Sequence, residues 1–260
     1  PESHAASFAL IAYASAWLKV HYPSAFFAAL LNCWPMGFYA PATLIEDAKR
    51  HGVAFLPIDV SSSERDCTCS NGPVRLGLRF VRGLAQSTIE AIVRERRLRP
   101  WVDIHDLAFR TGASRNEMAT LAEVGACASF GGRRRDALWQ CLSVNRNAPL
   151  LQGAGDERTA PFLPPMSQAD QVMADLRTSG VTTGPHPVSF LRSQLASLDV
   201  TTAINLASLR NGVRTRIAGL LIIRQRPATA GGFCFLTLED ETGLANVVLT
   251  PDVFQTYRTQ

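Results

Sequence analysis

The stretch from Val74 to Arg97, VRLGLRFVRGLAQSTIEAIVRERR, restricts the fold more than any other part of the sequence. A short strand-like run leads through Val81-Arg82-Gly83-Leu84 into a segment with Ala85, Ile89, Ile92 and Val93 at three- and four-residue spacing, the period of an amphipathic helix. Glycine at the turn lets the backbone take φ > 0, and the lack of a side chain leaves the amides at the helix start open to an anion. Ser87 or Thr88 is placed to cap the helix if it starts late, with Glu90 near its positive end. From Arg75 to Arg99 seven arginines stand against Glu90 and Glu95, a local field suited to a polyanion. A contact of this kind holds any nucleic-acid backbone and reads no base. The same residues also describe a glycine cap on a core with a solvated basic face, and the stretch alone leaves both readings open.

At 260 residues and 47% hydrophobic content, the chain is globular and long enough for two or three small domains. The net charge of +4 conceals an asymmetry: of the 26 basic residues, all but Lys19 and Lys49 are arginine. Arginine suits bidentate phosphate contact, and a GC-rich coding sequence gives the same bias. The cysteines at 33, 67, 69, 127, 141 and 234 form no CxxC pair, which predicts reduced thiols and a cytoplasmic protein. Cys67-Thr-Cys69 is too closely spaced for a zinc knuckle, and no second pair answers it. His4, His21, His51, His105 and His186 are dispersed, against the clustering a metal-dependent hydrolase needs. The uncharged run Ala5 to Leu18 falls short of the roughly 20 residues that cross a bilayer, and Lys19 and His21 follow at once, so a buried core helix is expected and no membrane partner. With no initiating Met and a helix beginning at Pro1, the chain reads as a piece of something longer.

In chain order, residues 3 to 22 predict a helix with Ser3 as N-cap, apolar on nearly every side and therefore buried nearly all round. Helices follow from Ser24 to about Cys33 and from Ala42 to His51, then a strand from Val53 to Asp59. After Val74–Arg97 a second cycle appears: a helix from Asp103 to Arg110, another capped by Ser114, a break at Gly125, and Gly131-Gly132 before RRRDALWQCL. The two cycles predict a tandem helix-hairpin-helix. Its copies are unequal, because Glu123 beside the second turn repels phosphate and leaves Arg133, Arg134 and Arg135 as the contact. Residues 145 to 165 read as a linker, and 166 to 177 and 187 to 196 as short helices. From Arg214 three β-rich runs end in a helix-like DVFQTYR, a pattern compatible with an OB barrel containing Gly219 or with any small meander. Phe233 and Phe235 share a strand face and read either as stacking platforms for unpaired bases or as core residues; core is the expectation, and Arg224 and Arg226 are the better candidates for single-strand contact.

The opening PESHAASFALIAYASAWLKVHYPSAF resembles the end of the fingers domain in bacterial C-family replicative polymerase α subunits, with their SHA-x-x-(Y/F)-A-L…LK-x-H-P motif. PMGFYAPATLIEDAKRHGVAFLPIDV, RLGLRFVRGL and FLTLEDETGLANVV continue the resemblance in the same order over nearly the whole chain. PESHAASFAL and PMGFY are most similar to the error-prone, DnaE-type branch used in damage-induced translesion synthesis. The resemblance implies a multidomain α+β fold: the end of the fingers over 1–72, a tandem helix-hairpin-helix over 73–145, a linker and short helices over 146–205, and a truncated, partial OB-type β-barrel over 206–260. It implies a DNA-directed DNA polymerase as the parent protein, with this fragment holding duplex template-primer DNA and lacking the palm carboxylates that bind magnesium. The expected sites are a nucleotide pocket at Ser3 and His4, phosphate contacts at Arg79, Arg82, Gly83, Gly125, Arg133, Arg134 and Arg135, and single-strand contacts at Arg216, Arg224 and Arg226. The expected partners are deoxynucleotides in the parent enzyme, single-stranded template and accessory mutagenesis proteins. LLQGAGDERTAPFLP does not supply the clamp-binding peptide of replicative members. The competing class is a non-catalytic helix-hairpin-helix/OB repair accessory protein, separated from the first by whether a palm domain lies upstream.

Overall fold

A computed structural model describes residues 2–37, 39–69, 72–143 and 162–258, which divide at Gly184/Pro185 into two compact units. The linker read over 145–165 and the stretch searched for a clamp-binding peptide lie, apart from residues 162–165, outside the described residues.

The first unit opens with α1 (Glu2–His21), α2 (Pro23–Asn32) and α3 (Pro41–Arg50). Proline at the first position of α2 and α3 costs nothing, because that N–H has no intrahelical partner in any case. Helix α1 departs from expectation in two ways. None of its residues is buried, with Leu10, Tyr13 and Val20 at least 70% exposed. A helix apolar on every side needs neighbours on every side, and the described residues supply them only toward its C-terminal end. There Lys19 Nζ meets Asp47 at 2.9 Å and lies over the Phe27 ring. Ser3, moreover, sits inside the first turn rather than capping it, and its carbonyl accepts the Ser7 hydroxyl at 2.9 Å.

The strand expected over Val53–Asp59 shrinks to β1 (Phe55–Leu56), which with β2 (Thr68–Cys69) and β3 (Val74–Arg75) makes a small sheet of order β1-β3-β2. β1 runs parallel and β2 antiparallel to β3. Beyond it a 3-10 turn at Leu78–Phe80 precedes α4 (Gln86–Leu98), α5 (Ile104–Thr111), α6 (Arg115–Glu123), α7 (Arg134–Ser143) and α8 (Gln168–Thr178). Gly77 lets Leu78 N and Arg79 N reach the Glu64 and Arg65 carbonyls, at 2.9 and 3.0 Å, since any Cβ there would collide with the Arg65 backbone. Leu31, Ile45, Val60, Leu78, Ile92, Ile104, Leu107 and Leu121 are at most 1% exposed in one continuous core. Burying each such side chain contributes about 1.5–3 kcal/mol.

The second unit contains a 3-10 turn at Pro187–Leu191, α9 (Arg192–Ser197), β4 (Val200–Thr201), β5 (Arg216–Ile217), β6 (Leu220–Gln225), β7 (Cys234–Asp240), β8 (Gly243–Leu249) and α10 (Pro251–Tyr257). β6, β7 and β8 form an antiparallel meander with a register shift between Leu221 and Ile223, β4 pairs in parallel with β5, and the described strands do not close a barrel. Gly219 separates β5 from β6, where a Cβ would stand 2.7 Å from the Glu239 carbonyl. The turn after β7 is tied by Asp240, whose Oδ1 accepts from Thr242 N, Thr242 Oγ1 and Gly243 N at 2.6–3.0 Å and whose Oδ2 accepts from Ala203 N at 2.8 Å. The core placement of Phe233 and Phe235 does not hold: they are 37% and 39% exposed. Phe233 precedes β7, and Phe235 points away from buried Cys234 on a face it shares with exposed Val248.

Candidate nucleic-acid interface

Two glycine turns organise the site. The first runs from the 3-10 turn through Val81, Arg82 and Gly83 to α4, with φ of 74° at Gly83. The second runs from α6 through Gly125, with φ of 83°, and a 3-10 turn at Ala128–Phe130 to α7. Positive φ is the reason for glycine at both. The surroundings differ. Nothing among the described residues lies within 4 Å of where a Cβ would stand on Gly83, whereas on Gly125 it would meet the Arg134 guanidinium at 2.5 Å.

The start of α4 is not capped by Ser87 or Thr88. Its N-cap is Ala85, which has no side chain to offer, and the capping oxygen comes from Glu117 on α6. Glu117 Oε1 accepts from Ala85 N at 3.0 Å and from Thr88 Oγ1 at 2.7 Å, while Oε2 accepts from Ser114 N and Ser114 Oγ, both at 2.7 Å. Partial burial pushes this carboxyl up, but the hydrogen bonds from Ala85, Ser114 and Thr88 outweigh it and hold the pKa at about 2. A carboxylate of the chain itself therefore occupies an amide that the sequence offers to phosphate.

Helix α8 backs both turns. Thr178 O accepts from Arg82 N at 2.8 Å and Arg177 O from Arg82 Nη1 at 3.2 Å. Asp175, 8% exposed, accepts from Arg134 Nη1 at 2.6 Å and from Thr182 Oγ1 at 2.8 Å. Glu123, expected to repel phosphate, is paired with Arg177.

The remaining expected contacts separate by environment. Arg79 is an internal tie, donating to Asn32 O at 2.8 Å, Trp34 O at 2.7 Å and Asp66 at 3.1 Å. Arg133 is exposed and chelates Asp136 at 2.9 Å, and Arg135 donates to Pro164 O at 2.6 Å. Arg216 donates to Leu198 O at 3.0 Å, and the Arg224 and Arg226 guanidinium groups lie 5.7 and 4.6 Å from the Phe254 ring centroid. Ser3 and His4 stand on the first turn of α1, with the His4 ring edge-on to Phe8 at 4.5 Å.

The excess of arginine from 75 to 99 is compensated from outside that stretch. Glu64 takes Arg96 at 2.6 Å and Arg97 at 3.1 Å, Asp66 takes Arg79, and Asp106 takes Arg99 at 2.7 Å. What remains is an open groove of about 400 Å³ along α4, lined by the apolar Ile89, Val93 and Leu98 and by Arg65, Arg94 and Arg97 with Glu90. Among the described residues no group of three or more His, Cys, Asp or Glu is placed to hold a metal ion. No helix among them is long and apolar enough to cross a membrane.

Sequence reasoning missed Glu117 as a bridge, Asp175 as the anchor of Arg134, and Gly77. Ser114-x-x-Glu117 is a local capping-box signature, so half of the Glu117 role was available; its reach to α4 was not.

Fold and site define the class, a helix-hairpin-helix protein, and the helix-hairpin-helix motif family matches residues 52–137. Over the length it spans, the chain belongs to the error-prone DNA polymerase family. It is 46% identical over 254 residues to the error-prone DNA polymerase of Alkalilimnicola ehrlichii, an overlap of 96% of this chain and 25% of the relative. It is 46% identical to that of Rhodopirellula baltica, over 99% of this chain and 23% of the relative, and 42% identical to that of Pseudomonas aeruginosa, over 99% and 26%. The chain thus spans about a quarter of the length of the curated relatives it matches.

Proposed function

We propose that this chain is the DNA-holding portion of an error-prone DNA polymerase that copies damaged template, gripping template-primer duplex by its backbone with the tandem helix-hairpin-helix. The observation that carries this reading is the 42–46% identity to polymerases so named, continuous across both hairpins. Nucleotidyl transfer belongs to the longer protein. The magnesium it needs is assigned to carboxylates outside this chain.

Within the grip, the open tip at Gly83 and the exposed Arg133 face phosphate, together with Arg135. Arg79, Arg82 and Arg134 hold the turns from behind, as their bonds to carbonyls, Asp66 and Asp175 suggest, and Gly125 supplies the second turn. Ser3 and His4 border the nucleotide pocket of the complete enzyme. The division at 72, 145 and 205 into fingers end, hairpin pair, connector and partial OB domain is part of the same reading. β5–β8 followed by α10 would be the first part of that OB barrel, with single-stranded template crossing near Arg216, Arg224 and Arg226. Accessory mutagenesis proteins complete the partners. Six free cysteines suit a cytoplasmic setting.

Fluorescence anisotropy with two duplexes of unrelated sequence tests the grip. The expected result is equal affinity for both, falling with salt at a slope near 0.9 per phosphate neutralised. Absence of binding, or strong preference for one sequence, would overturn it.

A further inference from the structure

The bonds of Glu117 join the start of the helix that follows the first turn to the start of the helix that leads into the second. All four groups that meet this carboxylate are donors: two backbone N–H and two hydroxyls, at 2.7–3.0 Å. A carboxylate offers about four lone-pair sites and no hydrogen, so it satisfies them together; an amide has one oxygen, and its NH₂ would face donors. The positive ends of α4 and α6 both point at it, which adds to its hold. From there the rest of α6, Glu117 to Glu123, runs as a rod of about 10 Å at 1.5 Å per residue toward Gly125. Moving Glu117 therefore moves one turn relative to the other.

We propose that Glu117 is a positioning residue that sets the two glycine turns in register, so that duplex affinity depends on a side chain that does not itself touch DNA. The inference rests on the reading of the chain as a duplex-holding module. A duplex phosphate spacing is fixed, so two turns grip one backbone only when their separation matches it. Glu117 supplies that match through Ala85 and Thr88 on one side and Ser114 on the other. Thr88 is 6% exposed, so its hydroxyl is committed to Glu117 rather than to solvent or to DNA.

The test uses the 260-residue chain, the variants Glu117→Gln and Thr88→Val, and their combination. Each is first shown by circular dichroism to be folded at the assay temperature. Duplex affinity is then measured across a salt series. The expected outcome is a loss of about tenfold in each single variant, a shallower salt slope, and a double variant no weaker than the worse single one, because both changes break the same link. Thr88→Val keeps the shape and the carboxylate, so it carries the test if Glu117→Gln does not fold. Folded variants that bind like the parent, or losses that simply add, would overturn the inference while leaving the duplex-holding reading intact. A parent chain that binds no duplex would overturn the reading itself.

Discussion

In the first turn the space over Gly83 is open to 4 Å, and in the second the Arg134 guanidinium stands over Gly125. The backbones are alike, with φ of 74° and 83°, so the difference lies in what the rest of the chain places against them. The first turn is tied from its flank by Glu117 and from behind by α8, leaving its tip free. The second has an arginine folded back onto it and pinned by Asp175. Two copies of one motif thus divide the work: an open turn can meet a ligand, while a filled one holds the frame. Replacing groups one at a time separates these roles, because a frame residue shows in stability and a ligand residue in affinity.

The largest effect is expected at Asp175. Its ion pair with Arg134 is largely buried, 21% and 11% exposed by side chain, and it also takes the Thr182 hydroxyl. Asp175→Ala leaves the guanidinium without its charge partner and should cost roughly 3 kcal/mol, read as a lowered urea midpoint at unchanged slope. A loss below about 1 kcal/mol would mean that α8 does not hold the second turn.

Next come the two glycines. Valine at either is forced into a left-handed backbone that β-branched residues resist, at about 1–2 kcal/mol. At Gly125 it must also displace Arg134, so Gly125→Val should destabilise by about 1 kcal/mol more than Gly83→Val. Equal costs would show that Arg134 moves aside freely and that the two turns are less different than they look. In DNA affinity at a temperature where both are folded, the order should reverse.

This asymmetry was only partly legible in the sequence. Gly83, Gly125, the Ser114 cap and the α4 period are local signals, and each lies where residues a few positions apart put it. The partners of the arginines are not local. Glu64, Asp66 and Asp106 neutralise a stretch that reads as strongly basic, and Asp175 reaches Arg134 across 41 positions. A charge count along the chain sees no such pairing, because it forms only when the core brings α4, α6 and α8 together. Helix α1 shows the converse: its apolar composition predicts burial, yet none of its residues is buried among the described residues, because composition names no partner.

A smaller effect is expected with pH. Glu117 is held at about 2 in the folded chain against the usual 4.5 for a glutamate, so its bonds stabilise the fold fully above about pH 4.5. That contribution is lost as pH falls from there toward 2. Asp240 in the second unit is also lowered, its burial outweighed by bonds from Thr242, Ala203 and Gly243, so a global acid melt mixes the two. Amide exchange at Ala85 isolates the first turn. Its protection should decline over that window in the parent and be low but flat in Glu117→Gln. A parent amide unchanged down to pH 2 would count against the bridge as the cap of α4.

The finest distinction is between neighbouring arginines at the second turn. Arg133 is exposed, just before α7, and its partner Asp136 lies three residues on in the first turn of that helix, so a phosphate can compete for it at little cost. Arg134 is held by Asp175 and by the Gln171 carbonyl at 3.3 Å, and releasing it would strand a buried carboxylate. Losing one phosphate contact lowers the slope of log affinity against log salt by roughly one unit. Arg133→Ala should therefore flatten the slope by that amount and leave the melting temperature within about a degree or two, since an exposed pair contributes little to stability. Arg134→Ala should do the opposite, lowering stability while the slope of the folded protein stays the same. If both changed the slope equally, the guanidinium over Gly125 would be a ligand group that swings out to meet DNA, and the division between an open and a filled turn would describe the free protein alone.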